Sequence, residues 1–403
     1  MTAPAAETRT RSAAHAVPGG VLAETAPDGR VLGLYVHVPF CAQRCHYCSF
    51  ATAPLDDGAD VGRYLAALHR EIELIGALDW AGRVTLGTVF FGGGTPSLLE
   101  PDDLSEILDA VRRRFPLEDG AEVTVECNPE SVSRSKLAAY REAGVNRVSL
   151  GVQSLDDRIL ARLGRLHDAR GARGAFDAAR AAGFDNVSVD LMYGLPDLAG
   201  DLWARTVDDI LGWAPDHLSA YALTLDGGSA WTAGTAPALP AEDEIVAQYW
   251  TLARAAAARG LEHYEISNYA RPGFRARHNL VYWRTAEYLA LGPAACGFVG
   301  DVRYGNARAL ARYCAALEDG RLPVETSERL TASQRLAERL ILGLRTSDGV
   351  DAASLEARGA GDPALRRRVQ AWYQVGWLAT VDGRVVLTEA GFLVSDALFV
   401  ELL

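Results

Sequence analysis

The sequence predicts an α/β protein in which a partial barrel of six strand–helix units precedes a small α+β domain. From Val31 onward, short apolar runs alternate with amphipathic stretches of helical period, the pattern of parallel strands separated by helices. Cysteine, glycine and acidic residues fall at or just after the ends of these apolar runs. Near Thr326 the repeat gives way to helical patterns and one hairpin pattern.

The six predicted strands are short apolar runs. They cover 33–38, 88–91, 122–126, 147–152, 188–192 and 218–223. The helices predicted between them cover 61–76, 103–115, 135–143, 172–182 and 202–213, and several end at Gly or before Pro. In barrels of parallel strands, functional residues gather at the carboxyl ends of the strands. The unusual residues at five of these strand ends therefore predict a single site.

Four segments follow from these patterns. Residues 1–30 have no hydrophobic centre of a secretory signal and are predicted to be a mobile leader, and residues 31–240 form the barrel. Residues 241–325 are predicted to be a helical and aromatic extension that begins with a helix over 241–259. Residues 326–403 suggest a winged-helix-like domain. Its predicted elements are helices 332–344 and 363–375, a hairpin over 378–387 turning at Asp382-Gly383, and a last helix from Glu389.

Composition excludes several classes of protein. The 403 residues include 40 Lys+Arg and 52 Asp+Glu, a net charge of −12, so no general attraction to nucleic acid or anionic lipid is expected. No apolar run approaches the roughly 18 residues that cross a bilayer. Six cysteines, three of them clustered, do not resemble a disulfide framework, which favours a soluble protein of the reducing cytoplasm.

Cys41, Cys45 and Cys48 form a CxxxCxxC motif directly after the first predicted strand. Three thiolates this close can hold a four-iron cluster and leave one iron open for another ligand. Structural zinc would need a fourth protein ligand, for which His46 is the nominal candidate. Spacing favours the iron–sulfur interpretation and leaves zinc open. The dispersed Cys127, Cys296 and Cys314 are predicted to be packing residues.

The motif and its surroundings resemble a known family. CxxxCxxC after the first strand, followed by GGGTPS after the second, resembles the radical S-adenosylmethionine (SAM) superfamily. The segment YVHVPFC resembles the branch containing oxygen-independent coproporphyrinogen III dehydrogenase, and the likeness extends from Tyr35 to the C-terminus. The resemblance implies a radical SAM barrel with a [4Fe-4S] cluster. SAM would chelate the open iron, and an electron from the cluster would generate a 5′-deoxyadenosyl radical.

The resemblance also implies a set of SAM contacts. In isolation GGGTP could be a simple strand-to-helix turn, whereas a phosphate-binding P-loop is disfavoured because no Gly-Lys-Ser/Thr follows. A carboxylate is a reasonable ligand for ribose hydroxyls, and a guanidinium suits a carboxylate. The residues that match SAM contacts of the family are Tyr35, Tyr47, Gly93, Gly94, Thr95, Glu126, Gln153, Arg165 and Asp190.

Two features separate members of this branch. The dehydrogenases carry a further cysteine two positions after the third, where this chain has Ser49-Phe50. The chain therefore looks like the radical SAM heme chaperones, and porphyrinogen decarboxylation becomes doubtful. His278, Asn279, Tyr282 and Trp283 match the HNxxYW motif of that family, which implies heme contacts. A His-Asn pair with two aromatic residues can also serve only to fix a chain crossing.

The resemblance implies a cytoplasmic chaperone that binds heme and delivers it to respiratory haemoproteins. The implied partners are heme, acceptor haemoproteins and a reductant protein, and not nucleic acid. The family is also compatible with peripheral membrane-protein contacts and a cluster-dependent homodimer. No side chain is assigned a catalytic role. The alternatives are the coproporphyrinogen III dehydrogenase activity and a zinc-stabilised binding protein.

Overall fold

The computed structural model describes residues 20–55, 58–225, 228–232 and 237–402. Its first part alternates strands with helices, as the apolar periodicity predicts. In chain order the elements are α1 (Gly20–Ala23), β1 (Val31–Val38), β2 (Phe40–Cys41), β3 (Ala53–Pro54), α2 (Gly58–Gly76), β4 (Thr85–Gly93), α3 (Pro101–Arg114), β5 (Leu117–Cys127), α4 (Arg134–Ala143), β6 (Arg147–Gln153), α5 (Asp157–Leu163), α6 (Ala169–Ala181), β7 (Val187–Tyr193), α7 (Gly200–Gly212) and β8 (His217–Ala222). Single 3₁₀ turns lie at Ala81–Arg83, Pro96–Leu98, Pro129–Ser131 and Ala230–Thr232.

The six predicted strands are β1, β4, β5, β6, β7 and β8. They lie side by side in that order, and every neighbouring pair is parallel. Their apolar side chains make one core with the surrounding helices, since strands such as β6 are buried along almost their whole length. The predicted (β/α)6 arrangement is confirmed.

Part of the predicted leader packs against the barrel. Residues 1–19 lie outside the described residues, but residues 20–30 contact the strands and helices that follow. Leu22 is fully buried, and its carbonyl accepts a hydrogen bond of 3.0 Å from Trp80 Nε1. The amides of Asp28 and Gly29 donate to the carboxylate of Glu287 at 3.0 and 2.6 Å. The packed part of the chain therefore begins before Val31. The apolar pattern in residues 20–30 is too short to predict this packing.

The segment 241–325 also differs from the prediction. Its first helix is present, but the rest adds short strands to both edges of the barrel sheet instead of forming a helical extension. These strands have three to six residues, too few for a periodic signal. The elements are α8 (Glu242–Ala258), β9 (Glu262–Glu265), β10 (Asn268–Ala270), α9 (Arg277–Trp283), β11 (Tyr288–Leu291), β12 (Cys296–Val299), β13 (Val302–Asn306), α10 (Leu310–Glu318) and β14 (Val324–Arg329).

These additions produce a sheet of twelve strands in the order β14-β13-β12-β11-β1-β4-β5-β6-β7-β8-β10-β9. β11 pairs in parallel with β1, whereas β12 to β14 at one edge and β9 and β10 at the other are antiparallel. Because β14 spans residue 325, the predicted domain boundary falls inside a strand.

The C-terminal domain has the element order of a winged helix. Its elements are α11 (Ala332–Leu344), β15 (Val350–Asp351), α12 (Ala352–Gly359), α13 (Pro363–Gln374), β16 (Leu378–Val381), β17 (Arg384–Leu387), α14 (Glu389–Leu393) and α15 (Ser395–Val400). Asp382 and Gly383 have φ of 49° and 77°, the left-handed pair that a two-residue hairpin turn requires. The predicted hairpin is therefore confirmed, while the predicted last helix is broken into two at Val394.

The interior of the barrel is polar and is closed from below by α9. The carboxylate of Glu122 accepts the backbone amides of Arg277 and His278, both at 3.0 Å. His217 Nδ1 lies 2.8 Å from Ser188 Oγ, and its Nε2 lies 2.8 Å from Tyr264 Oη. Hydrogen bonding thus satisfies polar groups that would be costly to bury alone. No helix among the described residues is long and apolar enough to cross a lipid bilayer.

A buried carboxylate joins the elements that neighbour β1, and its loss should destabilise the barrel. Glu71 of α2 accepts hydrogen bonds from Gly292 N at 2.8 Å, Tyr313 Oη at 2.6 Å and Asn306 Nδ2 at 2.6 Å. Burial raises the pKa of Glu71 to about 7. Glu71→Ala leaves three buried donors without this acceptor, which should cost roughly 3 kcal/mol and lower the melting temperature by several degrees.

Glu73→Ala is the matched control, because Glu73 lies in the same helix and makes only an exposed ion pair with Arg70. Its melting temperature should stay within about 1 °C of the wild type, since exposed pairs contribute little. Thermal unfolding followed by circular dichroism measures both variants. Equal melting temperatures for the two variants would contradict this account of Glu71.

Candidate functional site

One cavity of about 370 Å³ lies at the carboxyl ends of the parallel strands. This volume is within the range of about 300 to 1,000 Å³ that is usual for small-molecule sites. The loop after β1 and the ends of β4, β5, β6, β7 and β8 all contribute, so the predicted convergence of strand ends is confirmed. Among its lining residues are the predicted Cys41, Cys45, Tyr47, Cys48, Gly93, Gly94, Thr95, Glu126, Gln153, Arg165 and Asp190.

The three cysteines lie on the loop that follows β1, and all are free thiols at intermediate exposure. Cys41 Sγ accepts a hydrogen bond from Thr95 Oγ1 at 3.6 Å, and Cys45 Sγ accepts one from Arg165 Nη1 at 3.5 Å. Burial raises the pKa of the Cys41 and Cys48 thiols. Hydrogen bonds to ligand sulfurs are typical of iron–sulfur sites, so this donor set fits a cluster.

The arrangement favours a cluster over a single ion. Within the described ranges no three His, Cys, Asp or Glu side chains lie close enough together to hold one metal ion. A four-iron cluster makes no such demand, because each thiolate binds a different iron. His46, the nominal fourth zinc ligand, turns its Nδ1 toward the carbonyl of Arg162 at 2.8 Å. The geometry therefore gives the zinc alternative no support.

The glycine motif holds the cysteine loop against β4. Gly94 N donates to Val38 O at 2.8 Å, and Thr95 N donates to Phe40 O at 2.7 Å. A Cβ on Gly94 would lie 2.5 Å from the carbonyl oxygen of Phe40, so this close crossing requires glycine. Gly93 adopts φ of +112° and donates its amide to Glu126 Oε2 at 3.2 Å. The motif is predicted for ligand approach, and the structure shows that it also positions the cysteine loop.

Two carboxylates on β5 and β7 face the cavity. Desolvation and the nearby Asp190 raise the pKa of Glu126 to about 7. Burial also raises the pKa of Asp190, although Ser149 Oγ donates to both of its oxygens at 3.0 and 3.1 Å. Glu126 accepts just one hydrogen bond from the part of the chain that the structure describes, that of Gly93. It therefore retains acceptor capacity for a ligand.

Arg165 connects the cysteine loop to the strand ends. Its Nη2 donates to Asn128 Oδ1 and to Gly151 O, both at 2.7 Å. Its Nε is buried and has no acceptor among the described residues. An unpaired buried donor is costly, so this nitrogen fits an acceptor supplied by a ligand, such as a carboxylate.

Asn128 is a site residue that sequence reasoning missed. It bridges the site by accepting from Arg165 and donating from Nδ2 to Thr95 Oγ1 at 3.1 Å. Its position two residues after Glu126, at the same strand end, was the available signal. Sequence reasoning also missed the lining residues Ser149, Met192 and Tyr221. They lie on strands, where alternating side chains do not show which residues line a cavity.

The two predicted tyrosines lie in different places. Tyr47 lines the cavity, and burial raises its pKa above the usual value. Tyr35 is not among the lining residues: its hydroxyl meets His37 Nδ1 at 3.0 Å, and its ring stacks on Phe90 and His278. The ligand contact predicted for Tyr35 stays a prediction. Gln153 lines the cavity at an irregularity of β6, where its φ is 65°.

The HNxxYW residues lie on α9, apart from the cysteine cavity. His278 is 1% exposed, with Nδ1 2.8 Å from Thr88 Oγ1 and Nε2 2.7 Å from Tyr282 Oη. Burial lowers its pKa to about 3. Both ring nitrogens are occupied, so this conformation offers no free nitrogen to heme iron. Trp283 packs against a buried cluster of Tyr264, Ala270 and Leu280, whereas Asn279 is partly exposed.

Comparisons with known proteins show the family of the chain. The profile of the Radical SAM superfamily matches residues 35–210, and that of the HemN C-terminal domain matches residues 330–394. A Mycobacterium tuberculosis protein named heme chaperone HemW is 40% identical over 375 residues, covering 92% of this chain and 94% of its own. The chain belongs to the HemW family of radical SAM proteins.

More distant proteins extend the comparison. A Bacillus subtilis heme chaperone HemW is 32% identical over 376 residues, covering 91% of this chain and 97% of its own. The solved structure of coproporphyrinogen III oxidase (HemN) from Escherichia coli, described as a radical SAM enzyme, has a TM-score of 0.81 at 23% identity. It covers 93% of this chain and 90% of its own, and at this identity it confirms the fold alone. The predicted family and fold class are therefore correct.

Proposed function

We propose that this protein is a heme chaperone that depends on a [4Fe-4S] cluster and SAM and delivers heme to respiratory haemoproteins. The observation that carries the proposal is the placement of three free thiols at the rim of a cavity lined by Glu126 and Arg165. The names of the relatives support the heme part of the proposal.

Cys41, Cys45 and Cys48 would hold three irons and leave the fourth for the amino and carboxylate groups of SAM. Bound there, the cluster and SAM supply one-electron chemistry. Arg165 Nε would donate to the SAM carboxylate, and Glu126 would accept from ribose hydroxyls. Further contacts are proposed for Tyr47, Gly93, Gly94, Thr95, Gln153 and Asp190.

Phe50 supports a chaperone in preference to a dehydrogenase. It stands where the dehydrogenases carry their additional cysteine, and it lines the cavity mouth with 66% of its surface exposed. The cluster and SAM would then control heme transfer or assembly of the protein without oxidising a porphyrin. In this proposal the protein works in the cytoplasm with a reductant protein and haemoprotein acceptors. Peripheral membrane-protein contacts and a cluster-dependent homodimer are compatible with it.

The decisive experiment compares two activities of anaerobically prepared, cluster-loaded protein. One sample receives heme and then apo-haemoprotein, and the other receives coproporphyrinogen III, SAM and a strong reductant. We expect stable heme binding and transfer in the first sample and no decarboxylated product in the second. Decarboxylated product would establish the dehydrogenase alternative. Metal analysis of the anaerobically purified protein, before any cluster is reconstituted, tests the zinc alternative: stoichiometric zinc without iron or sulfide would establish it.

SAM affinity should depend on pH through Glu126. Because the pKa of Glu126 is raised to about 7, its carboxyl is neutral below pH 7 and ionised above it. Hydrogen bonds to a charged acceptor are about 1 kcal/mol stronger than neutral ones, so affinity should rise roughly fivefold as pH rises from about 6 to about 8. Anaerobic calorimetry on cluster-loaded protein measures this dependence.

Glu126→Gln should flatten that pH dependence, since an amide does not titrate in this range. Glu130→Gln is the control: Glu130 lies on the same segment but pairs with His167 at 3.2 Å and does not line the cavity. Its pH dependence should match that of the wild type. An unchanged pH dependence in Glu126→Gln would refute the assignment.

A further inference from the structure

A second cavity lies between the barrel and the C-terminal domain, away from the cysteines. It has a volume of about 240 Å³ and is bounded by α9, the edge strands β11 to β13, and α11. Ligand sites occur preferentially at such domain interfaces. We refer to this cavity as the interdomain groove.

One part of the interdomain groove is aromatic. Tyr282 and Tyr288 meet edge to face with ring centroids 4.6 Å apart, and Phe298 pairs with Tyr288 across β11 and β12. Rigid aromatic side chains present flat apolar surface at little entropic cost. This wall suits a flat, apolar ring system.

Another part of the interdomain groove is basic. Arg303, Arg335 and Arg339 line it together with a single acidic residue, Glu338. Outside the lining, Glu328 lies 3.9 Å from Arg303. Glu338 already pairs with Arg303 at 2.7 Å. Arg335 has only Asp28 at 3.5 Å, and Arg339 has no ion-pair partner in the described part of the chain. Arg339 is therefore available to bind an anionic ligand, and an anion could replace the exposed Asp28 at Arg335.

We propose that the interdomain groove binds heme, with Arg335 and Arg339 pairing with its two propionates and the aromatic wall covering part of the macrocycle. This inference rests on the proposed heme chaperone function and assigns it a site. Heme combines a flat apolar ring with two negative charges, which complement the aromatic wall and the two arginines of α11. Because the volume is below the roughly 300 Å³ usual for an enclosing site, much of the ring stays uncovered and accessible to an acceptor.

The proposal also gives the HNxxYW segment a role that does not require His278 to bind iron. Tyr282 lines the interdomain groove, while its hydroxyl meets the buried His278. His278 in turn meets Thr88 on β4, the strand that ends at the glycine motif. His278 would thus position Tyr282 in the wall from inside the barrel.

Charge reversal tests the site. Heme is titrated by absorbance into full-length, cluster-loaded wild type, Arg335→Glu/Arg339→Glu and the control Arg366→Glu/Arg367→Glu. The control changes net charge equally at two exposed arginines of α13, outside the groove. We expect heme affinity to fall at least tenfold in the groove variant and less than twofold in the control. The dimethyl ester of heme, which lacks the two charges, should bind all three proteins equally.

The outcomes separate the site from the function. If the wild type binds and transfers heme and the groove variant matches it, the interdomain groove is excluded and the chaperone function stands. If the wild type binds no heme, the proposed function fails and the groove assignment fails with it. Should the double reversal unfold the domain by circular dichroism, the neutralising Arg335→Gln/Arg339→Gln repeats the test with the same expected direction.

Discussion

Replacing Cys41, Cys45 and Cys48 together by serine should abolish cluster binding, with iron falling from about four atoms per chain to background. A serine hydroxyl does not ionise at neutral pH and is a poor ligand for iron. The triple variant therefore keeps no thiolate in the loop that could bind the cluster. The cluster absorbance and the acid-labile sulfide should disappear together with the iron. Analysis of anaerobically reconstituted protein measures all three quantities.

The triple variant should nevertheless fold. The cysteine loop is held by backbone hydrogen bonds that do not involve sulfur, including Ala53 N to Pro39 O at 2.7 Å and Leu55 N to Cys41 O at 3.0 Å. Cys296→Ser is the control, because Cys296 is an exposed free thiol on β12 and does not line the cavity. Undiminished iron in the triple variant, or equal loss in the control, would place the cluster elsewhere.

Sequence predicted the barrel because its strands are buried on both faces. β6 and β7 are buried along almost their whole length, and such strands, alternating regularly with amphipathic helical stretches, indicate the barrel without any structural information. The strands of the extension did not stand out, because β10 has three residues and β12 has four. The mobile leader was predicted for the same reason: the one buried leucine in Gly20–Ala23 makes no pattern.

The sequence predicts which strand ends form the site. It does not predict how deep in the barrel each side chain lies. Glu126 and Asp190 both line the cavity, because parallel strands bring their carboxyl ends to one rim. Tyr35 contacts His37 and Phe90 and is not among the lining residues, because alternation along a strand carries no information on height within the barrel. Cys296 was expected to pack but is exposed, since a single cysteine on an edge strand has no pattern to reveal its face.

His278 shows a different limit. Its motif suggested heme contacts, but whether an imidazole is free depends on partners distant in sequence, here Thr88, 190 residues away. The motif therefore identifies the residue types, but it does not show whether the imidazole nitrogens are free to bind heme iron. The groove that Tyr282 does line includes arginines from another domain, which no local motif could associate with it.

Gly94→Ala should destabilise the barrel by about 3 kcal/mol and lower the cluster content of the purified protein. The new Cβ would lie 2.5 Å from Phe40 O and 2.9 Å from both Pro39 C and Val38 O. All three are backbone atoms, so the clash cannot be relieved by rotating a side chain, and overpacking of this kind costs about 1 to 3 kcal/mol or more. Moving the chain apart would stretch the bonds from Gly94 N and Thr95 N that hold the cysteine loop.

Gly62→Ala separates this crossing from the general effect of replacing glycine. Gly62 lies in α2, and beyond its own helix no heavy atom comes within 4 Å of the place that an alanine methyl would take. Alanine should therefore stabilise the protein by about 0.5 to 1 kcal/mol through helix propensity. Melting temperatures should fall in the order Gly62→Ala, wild type, Gly94→Ala, with reduced iron in the last alone. A Gly94→Ala protein with wild-type stability and full iron would show that β4 and the cysteine loop do not cross as closely as the cluster site requires.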